Sequence, residues 1–473
     1  MYCGKSHPLG ITETEFLGIA PRPYHYQQSG SVAYCTHRKN MKNFFIILAL
    51  ATAVLAAKEP PVYTSEGKEL GKIPAMPLVI SSARRGEPGK CGEKIIFTVT
   101  PAKIPANAEK IRIFQWVNGI RTAVSDYPLS QFKVEMSSAE PAHLMTTGIY
   151  IDSSGKAINP PHRTAGYGDG VFIEPEKLTR SRKRPADFDK FWEDELAKLD
   201  AVPMQVKRSA YRQGDVWKCD EIEITSTANI PVTGFLVMPQ KAAPASLPAV
   251  VYFHGAGFKS SSVQRQFGDR AIVFDVNAHG IKNGMPRDFY RKLNSRPPAD
   301  RNIFSHRDDR EKSYFKDMFL RTVRAVDFVK SLPEWDGKTL IVAGRSQGGA
   351  QAVAAAALAK GVTLCIANVP ALADHGGKEV QRAVGWPGIN PKNDPAIAVA
   401  ADYIDIVNLA GRITCETIMS IGMIDSICPP VSVWLTYQEL KGKKDITLFP
   451  QLGHVAPPVE LDGRKRIYLE IKK

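Results

Sequence analysis

The stretch Gly344-Arg345-Ser346-Gln347-Gly348 sets a serine between glycines, with the apolar run Leu340-Ile341-Val342-Ala343 before it and the helix-forming run Ala350 to Lys360 after it. A strand, a sharp turn and a helix in that order make a nucleophile elbow, in which the turn strains the serine backbone and lifts its hydroxyl clear of the sheet at a helix N-terminus. Gly344, Gly348 and Gly349 leave out the side chains such a turn cannot hold. Pentapeptides of this form recur in ordinary loops, so the flanking strand and helix carry the argument. A serine hydroxyl is a weak nucleophile, and the elbow therefore calls for an acid and a base later in the chain, in the order Ser, then Asp or Glu, then His. Asp425 follows the buried-strand run Ile418-Met419-Ser420-Ile421-Gly422, and His454 follows Ile446-Thr447-Leu448-Phe449-Pro450. Both loops fall at the carboxyl ends of strands, where parallel α/β sheets keep their chemistry. Ser346, Asp425 and His454 are thus the expected nucleophile, acid and base.

Acyl transfer also needs donors aimed at the developing oxyanion, each worth about 3 kcal/mol of barrier. The strand-like run Leu247 to Phe253 leads straight into His254-Gly255-Ala256-Gly257, a glycine-bearing loop of the lipase and esterase type. The backbone N–H of Ala256, with that of Gln347, forms the expected oxyanion hole. His254 is expected to hold the loop rather than to react.

The elements that must position these groups alternate between strand and helix. Strands are expected near Val250, Ile272, Leu340, Leu364, Ile418 and Thr447, after an antiparallel entry pair, Cys219 to Thr225 and Val232 to Met238. Asp317 to Leu332 carries Phe319, Val323, Val326 and Val329 at helical spacing. The pattern is that of a doubly wound sheet. Between Ala371 and Ala410 a longer excursion, containing Asp374-His375-Gly376 and Gly385-Trp386-Pro387, is expected to fold over the site as a lid or pocket wall, with Trp386 a candidate substrate-binding residue.

Upstream the texture changes. Lys94–Thr100, Lys110–Trp116, Gln131–Met136 and Gly148–Asp152 are short strand-like runs between Pro, Asn, Ser and Gly, which points to a small all-β sandwich over residues 58–178, immunoglobulin-like in size. Trp116 is expected in its core, sugar stacking being the alternative. Residues 179–473 would form the catalytic domain. The basic run Arg180-Ser181-Arg182-Lys183-Arg184 reads as a solvated linker, with attraction to a uronate-bearing polysaccharide as the alternative.

Met41-Lys42-Asn43, the apolar Phe44 to Leu55 and then Ala56-Ala57 have the basic start, short apolar core and small-residue exit of a signal peptide over residues 41–57. Its core is too short to span a bilayer comfortably. Residues 1–40 then read as an upstream extension absent from a mature protein that is secreted or periplasmic. The formal net charge of +14 comes without a nucleic-acid-binding motif. Of the seven cysteines, Cys91, Cys219, Cys365, Cys415 and Cys428 remain beyond the leader, an odd set without metal-type spacing, expected as buried thiols. No phosphate-cradling loop, dinucleotide fingerprint or metal-ligand spacing occurs, so neither a cofactor nor a metal is expected.

These residues resemble the acetyl xylan esterase and cephalosporin C deacetylase family of the α/β-hydrolase fold. The likeness runs from about Pro185 to Lys473: Pro185-Ala186-Asp187-Phe188-Asp189-Lys190-Phe191-Trp192 is similar to the family's opening helix, followed by the Phe253-His254-Gly255 loop, Ser346-Gln347-Gly348-Gly349, Tyr403-Ile404-Asp405-Ile406-Val407-Asn408 and Gly422 to Pro430. The resemblance implies the triad Ser346, Asp425 and His454, with Ala256 and Gln347 at the oxyanion. Two positions depart from it. Ala256 stands where the family has a Tyr after His-Gly, and Asn277-Ala278-His279-Gly280 stands where it has an Arg-Gly pair. The implied activity is removal of acetyl groups from a polysaccharide or oligosaccharide. The expected partners are that substrate and, compatibly, further copies of the chain in a homo-oligomer, with neither nucleic acid nor a stable membrane anchor. A peptidase of the prolyl oligopeptidase type is the nearest alternative, although residues 58–178 are too few for a propeller. A catalytically silent carbohydrate-binding protein is the other.

Overall fold

The computed structural model of this 473-residue chain describes residues 61–64, 69–72, 76–84, 86–161, 166–389, 394–454 and 464–471. The expected signal segment 41–57 and the extension 1–40 lie outside the described residues. Among the described residues no helix is long and apolar enough to cross a membrane.

Two small antiparallel sheets form the N-terminal part. One orders Leu78–Ser82, Ile95–Pro101 and Phe132–Met136; the other orders Tyr167–Ile173, Ala142–Ile151, Lys110–Val117 and Ile120–Tyr127, with Ala157–Ile158 beside Ala142–Ile151. Alternation along the strands supplies the core between them: Ile95, Phe97 and Val99 turn inward while Ile96 faces out. They meet Leu78, Ile80, Ile111, Ile113, Leu144 and Val171. Four of these strands are not legible in the sequence: Ile120–Tyr127 is an exposed edge without apolar alternation, Tyr167–Ile173 carries two glycines, Leu78–Ser82 is short, and Ala157–Ile158 is only two residues long.

The large sheet has eleven strands, in the order Val206–Gln213, Trp217–Ile224, Val232–Pro239, Ile272–Asn277, Leu247–Phe253, Trp335–Arg345, Leu364–Asn368, Glu416–Gly422, Lys444–Phe449, Pro61–Thr64 and Glu69–Lys72. From Ile272–Asn277 to Lys444–Phe449 all pairings are parallel, and the entry strands are antiparallel. The central strands are nearly continuous apolar runs because helices such as Tyr314–Lys330 and Gln347–Leu358 pack against them. Together the sheet and sandwich form an α/β-hydrolase fold preceded by an all-β region.

Three expectations change. Pro61–Thr64 and Glu69–Lys72, assigned by sequence to the sandwich, instead extend the large sheet: Pro61–Thr64 pairs with the edge strand Lys444–Phe449, Tyr63 opposite Leu448, and Glu69–Lys72 pairs with Pro61–Thr64; an edge strand leaves a row of unpaired backbone groups that an added strand can satisfy. Val206–Gln213, almost wholly exposed, extends the entry pair at the opposite edge and has no apolar alternation to reveal it. The basic run is a clasp rather than a solvated linker. Arg180 pairs with Glu439 and donates to Asn408 Oδ1 at 2.9 Å, Arg182 pairs with Glu379 and Asp402, and Arg184 pairs with Asp189. Arginines spent on internal carboxylates are poorly placed to hold an external uronate, so that alternative loses its basis.

The excursion from Ala371 to Ala410 contains the helices Pro395–Ile404 and Ile406–Ala410, whose Ile397, Tyr403, Ile404, Ile406 and Leu409 join the main core. Buried Asp405 ties its ends together by accepting the N–H groups of Asp374, His375 and Val407 at 3.1, 2.8 and 2.9 Å. It is a packed wall.

Candidate active site

Ser346 sits between the strand Trp335–Arg345 and the helix Gln347–Leu358 with φ 59° and ψ −126°, a conformation that costs a non-glycine residue about 1–3 kcal/mol. Its neighbours over-determine that strain. Ser346 N–H donates to Asn368 O at 3.0 Å, and its carbonyl accepts from Ala350 N–H and Ala371 N–H, both at 3.1 Å. Gly344 and Gly348 touch across the turn so closely that a Cβ on either would run into backbone carbonyls. Small residues are thus required here by contact.

The strand ends Gly422 and Phe449 lie side by side in parallel register, which brings the two loops after them together. Ser346 Oγ donates to His454 Nε2 at 3.0 Å, and His454 Nδ1 donates to Asp425 Oδ2 at 2.7 Å. The other carboxylate oxygen of Asp425 accepts Ile427 N–H at 2.7 Å and Cys428 N–H at 2.9 Å. All three side chains are buried, His454 and Asp425 almost completely. The three residues, 79 and 29 positions apart in sequence, therefore form one hydrogen-bonded row. Arg345, which motif reasoning passed over, donates Nη2–H to His454 O at 2.8 Å and pins the His454 loop to the strand Trp335–Arg345.

Gln347 opens its helix, where an N–H has no intrahelical carbonyl to meet. Gly255 lies beside Ser346, close enough that a Cβ on it would stand 3.7 Å from Ser346 Cβ, and Ala256 next to it lines the same cavity. Neither the Ala256 nor the Gln347 amide has a hydrogen-bond acceptor among the described residues. His254 fixes this loop: Ala278 N–H donates to Nε2 at 3.1 Å, so the proton sits on Nδ1 and is given to Gly255 O at 2.7 Å. Burial holds its pKa down at about 4, and the ring stays neutral.

The cavity has a volume of about 340 Å³ and is lined by Gly255, Ala256, Lys259, Arg345, Ser346, Trp386, Ile427 and His454. Trp386 is half-buried, packs edge-on against Phe315, and is fastened to the Asp425 loop by its backbone N–H to Ile427 O at 2.8 Å. Lys259 and Ile427 are lining residues that no motif announced. At the second departure from the family pattern, Asn277 takes up a loop-holding role. Its Nδ2 donates to Lys259 O at 2.9 Å and to Asn283 Oδ1 at 3.0 Å, and its Oδ1 accepts His279 N–H at 3.0 Å. Trp116 lies away from this cavity, half-buried on the sandwich, with its indole N–H given to Thr147 Oγ1 at 3.0 Å.

Ligand atoms of Asp425, Cys428 and His454 lie within 4.8 Å of one another. They do not fit a resident metal. Both carboxylate oxygens and the facing imidazole nitrogen are already spent on hydrogen bonds, and burial together with the Asp425 charge pushes the Cys428 thiol well above its ordinary pKa, away from the thiolate a metal needs.

Residues 174–468 match the family described as acetyl xylan esterase (AXE1). The match begins where the sandwich ends, just after the strand Tyr167–Ile173. Over 295 residues the chain is 32% identical to acetyl esterase Axe7A of Xylanibacter ruminicola, covering 60% of this chain and 66% of that protein, just under two thirds of its length. Among solved structures it is similar to an acetyl xylan esterase from Paenibacillus sp. R4, with 24% identity and a TM-score of 0.51 over 61% of this chain and 95% of that one. It is also similar to acetyl xylan esterase 1 from Thermoanaerobacterium sp. JW/SL YS485, with 23% identity and a TM-score of 0.52 over 63% of this chain and 98% of that one. At these identities the structural likeness establishes the fold.

Proposed function

This chain belongs to the acetyl xylan esterase family, and on that premise we propose that it is a serine esterase that removes acetyl groups from polysaccharide or oligosaccharide. The observation that carries the reading is the hydrogen-bonded row from Ser346 Oγ through His454 to Asp425 Oδ2, at 3.0 and 2.7 Å. Ser346 attacks the acetyl carbonyl while His454 Nε2 takes its proton, and Asp425 steadies the imidazolium that forms. The N–H groups of Ala256, in the cavity wall, and of Gln347, next to Ser346, receive the oxyanion, each such donor being worth about 3 kcal/mol of barrier. His454 then gives its proton to the departing sugar oxygen, leaving an acetyl ester on Ser346. A water enters, loses a proton to the same imidazole, and attacks that ester to release acetate.

The cavity, of about 340 Å³, has room for an acetyl group together with part of the sugar that carries it. Relatives and neighbours named as acetyl esterase and acetyl xylan esterases support the substrate class. The test is release of acetate from acetylated xylan, acetylated oligosaccharides and p-nitrophenyl acetate, with a proline-containing peptide as control. Cleavage of the peptide in preference to the esters would replace this reading with a peptidase.

The reading includes export, supported by the signal-like residues 41–57. Expression from Met41 in a bacterial host is expected to give a protein whose N-terminus, read by mass spectrometry, falls near Ala57 or Lys58. Protein that stays in the cytoplasm with residues 41–57 still attached would refute it.

A further inference from the structure

The N-terminal sandwich reaches the loops of Asp425 and His454 within two to four residues of those side chains. On the base side, Gly170 donates its N–H to Pro450 O at 3.2 Å, and the next residue, buried Gln451, donates Nε2–H to Ile80 O at 2.7 Å. Both sheets of the sandwich therefore hold the segment that ends in His454. On the acid side, Gly170 lies against the backbone of Met423. A Cβ added to Gly170 would stand 2.5 Å from Met423 O, 2.9 Å from Met423 Cβ and 2.6 Å from His143 Nε2. Only a residue with no side chain allows that approach.

The two loops are also stitched to each other. Met423 N–H donates to Phe449 O and Ile424 N–H to Leu452 O, both at 3.0 Å, so a shift in one is passed to the other. His143, on the strand Ala142–Ile151, is buried in the same seam and packs edge-on against Phe172 at 5.1 Å. Phe172 in turn lies 5.1 Å from Trp434, on the helix Pro430–Glu439 that follows the acid loop. Burial pushes the His143 pKa down to about 3, so that this ring stays neutral. At a second point the turn Asn118-Gly119 accepts Ala383 N–H on Asn118 O at 2.9 Å, three residues before the cavity residue Trp386. A module serving only to tether carbohydrate would need none of these contacts.

We infer that the sandwich is a positioning element of the active site: through Gly170 and Ile80 it fixes the acid and base loops so that His454 stands between Asp425 and Ser346. The inference rests on the reading of those three residues as the triad. Catalytic groups must be held to within about 0.5 Å, and a displacement of about 1 Å costs on the order of 100-fold in rate. Gly170 is thus a positioning residue that touches neither substrate nor reacting atoms.

The experiment compares Gly170→Ala and Gln451→Leu with Val134→Ala. Val134 is buried in the sandwich core on the strand Phe132–Met136, which pairs with Ile95–Pro101 and carries neither Gly170 nor Ile80. For each variant, kcat and KM on p-nitrophenyl acetate are measured across pH, with the melting temperature. Gly170→Ala is expected to lower kcat at least about tenfold with KM within about twofold, and to displace the pH midpoint of kcat as the imidazole's carboxylate contact loosens. Gln451→Leu should act in the same direction, by about three- to fivefold, and it decides the matter if Gly170→Ala does not fold. Val134→Ala should lower the melting temperature while leaving kcat and its pH midpoint unchanged. Native kcat and pH profile in Gly170→Ala and Gln451→Leu, or equal kcat losses in Val134→Ala, would overturn the inference. Activity that survives Ser346→Ala would defeat the triad reading itself; activity lost there but intact in the two interface variants would defeat only the positioning role.

Discussion

Asp425 holds His454 with one oxygen and its own loop with the other: Oδ2 accepts the imidazole Nδ1–H at 2.7 Å while Oδ1 accepts two backbone N–H groups. The carboxylate is thereby locked in direction before substrate arrives, and the imidazole is held in the tautomer whose Nε2 can take the serine proton. Ser346→Ala and His454→Ala are each expected to lower turnover by on the order of 10⁶, and Asp425→Asn by roughly 10⁴. The losses should not add, because the three act as a unit. His279→Ala and Asp275→Asn, which lie outside the row, should be far milder. Steady-state kinetics on p-nitrophenyl acetate check this, and a loss in either of the last two equal to that of His454→Ala would reassign the base or acid.

Cys428 lies beside the row yet is expected to be chemically silent. Its thiol is buried, and the nearby Asp425 charge adds to burial in pushing its pKa well above the ordinary value, so little thiolate forms near neutrality. Iodoacetamide at pH 7.5 should leave activity intact, while a serine-directed organophosphate should abolish it and label Ser346 in a peptide map. Inactivation by iodoacetamide that disappears in Cys428→Ser would contradict this.

Acyl selectivity should follow the cavity wall formed by Ala256, Trp386 and Ile427. One methylene in an apolar pocket is worth only about 1–3 kcal/mol, and the small Ala256 leaves room, so propionyl should be accepted within about tenfold of acetyl. Ala256→Tyr should sharpen the preference for acetyl without abolishing activity, since the donor at that position is backbone. The ratio of kcat/KM for acetyl, propionyl and butyryl nitrophenyl esters measures this. Rejection of propionyl by more than about a hundredfold in the unaltered protein would mean the pocket is closed by another group.

Acid should destabilise the fold partly through His375. Burial lowers its pKa from 6.5 to about 3, and its ring nitrogens have no hydrogen-bond partner among the described residues. With the folded value depressed, the unfolded chain binds the proton first, so the stabilising effect is complete above about pH 6.5 and is lost as pH falls toward 3. Against His375→Leu, the intact protein should lose about 1.4 kcal/mol more stability per pH unit between roughly pH 6 and 4. Urea unfolding at several pH values reads the difference, and parallel curves would show that the ring is protonated in the fold.

Local chemistry made much of this protein legible from its sequence. The elbow around Ser346, the strand-then-loop placement of Asp425 and His454, and the glycine loop at Ala256 are short-range patterns, and the apolar runs near Val250, Leu340, Ile418 and Thr447 reveal themselves because strands buried on both faces must be apolar throughout. Only the tertiary structure decided what depends on distant partners. Val206–Gln213 and Pro61–Thr64 are strands because a sheet edge offers them backbone hydrogen bonds, which no pattern of their own side chains demands. Arg180, Arg182 and Arg184 look like a solvated run until Glu439, Glu379, Asp402 and Asp189 are brought to them by folding. Gly170 carries no signal of its own in the sequence, where the glycines of Tyr167–Ile173 hide even its strand. Its close approach to Met423 and Pro450, 253 and 280 residues further on, exists only because the sandwich is packed against the ends of the strands that carry Asp425 and His454.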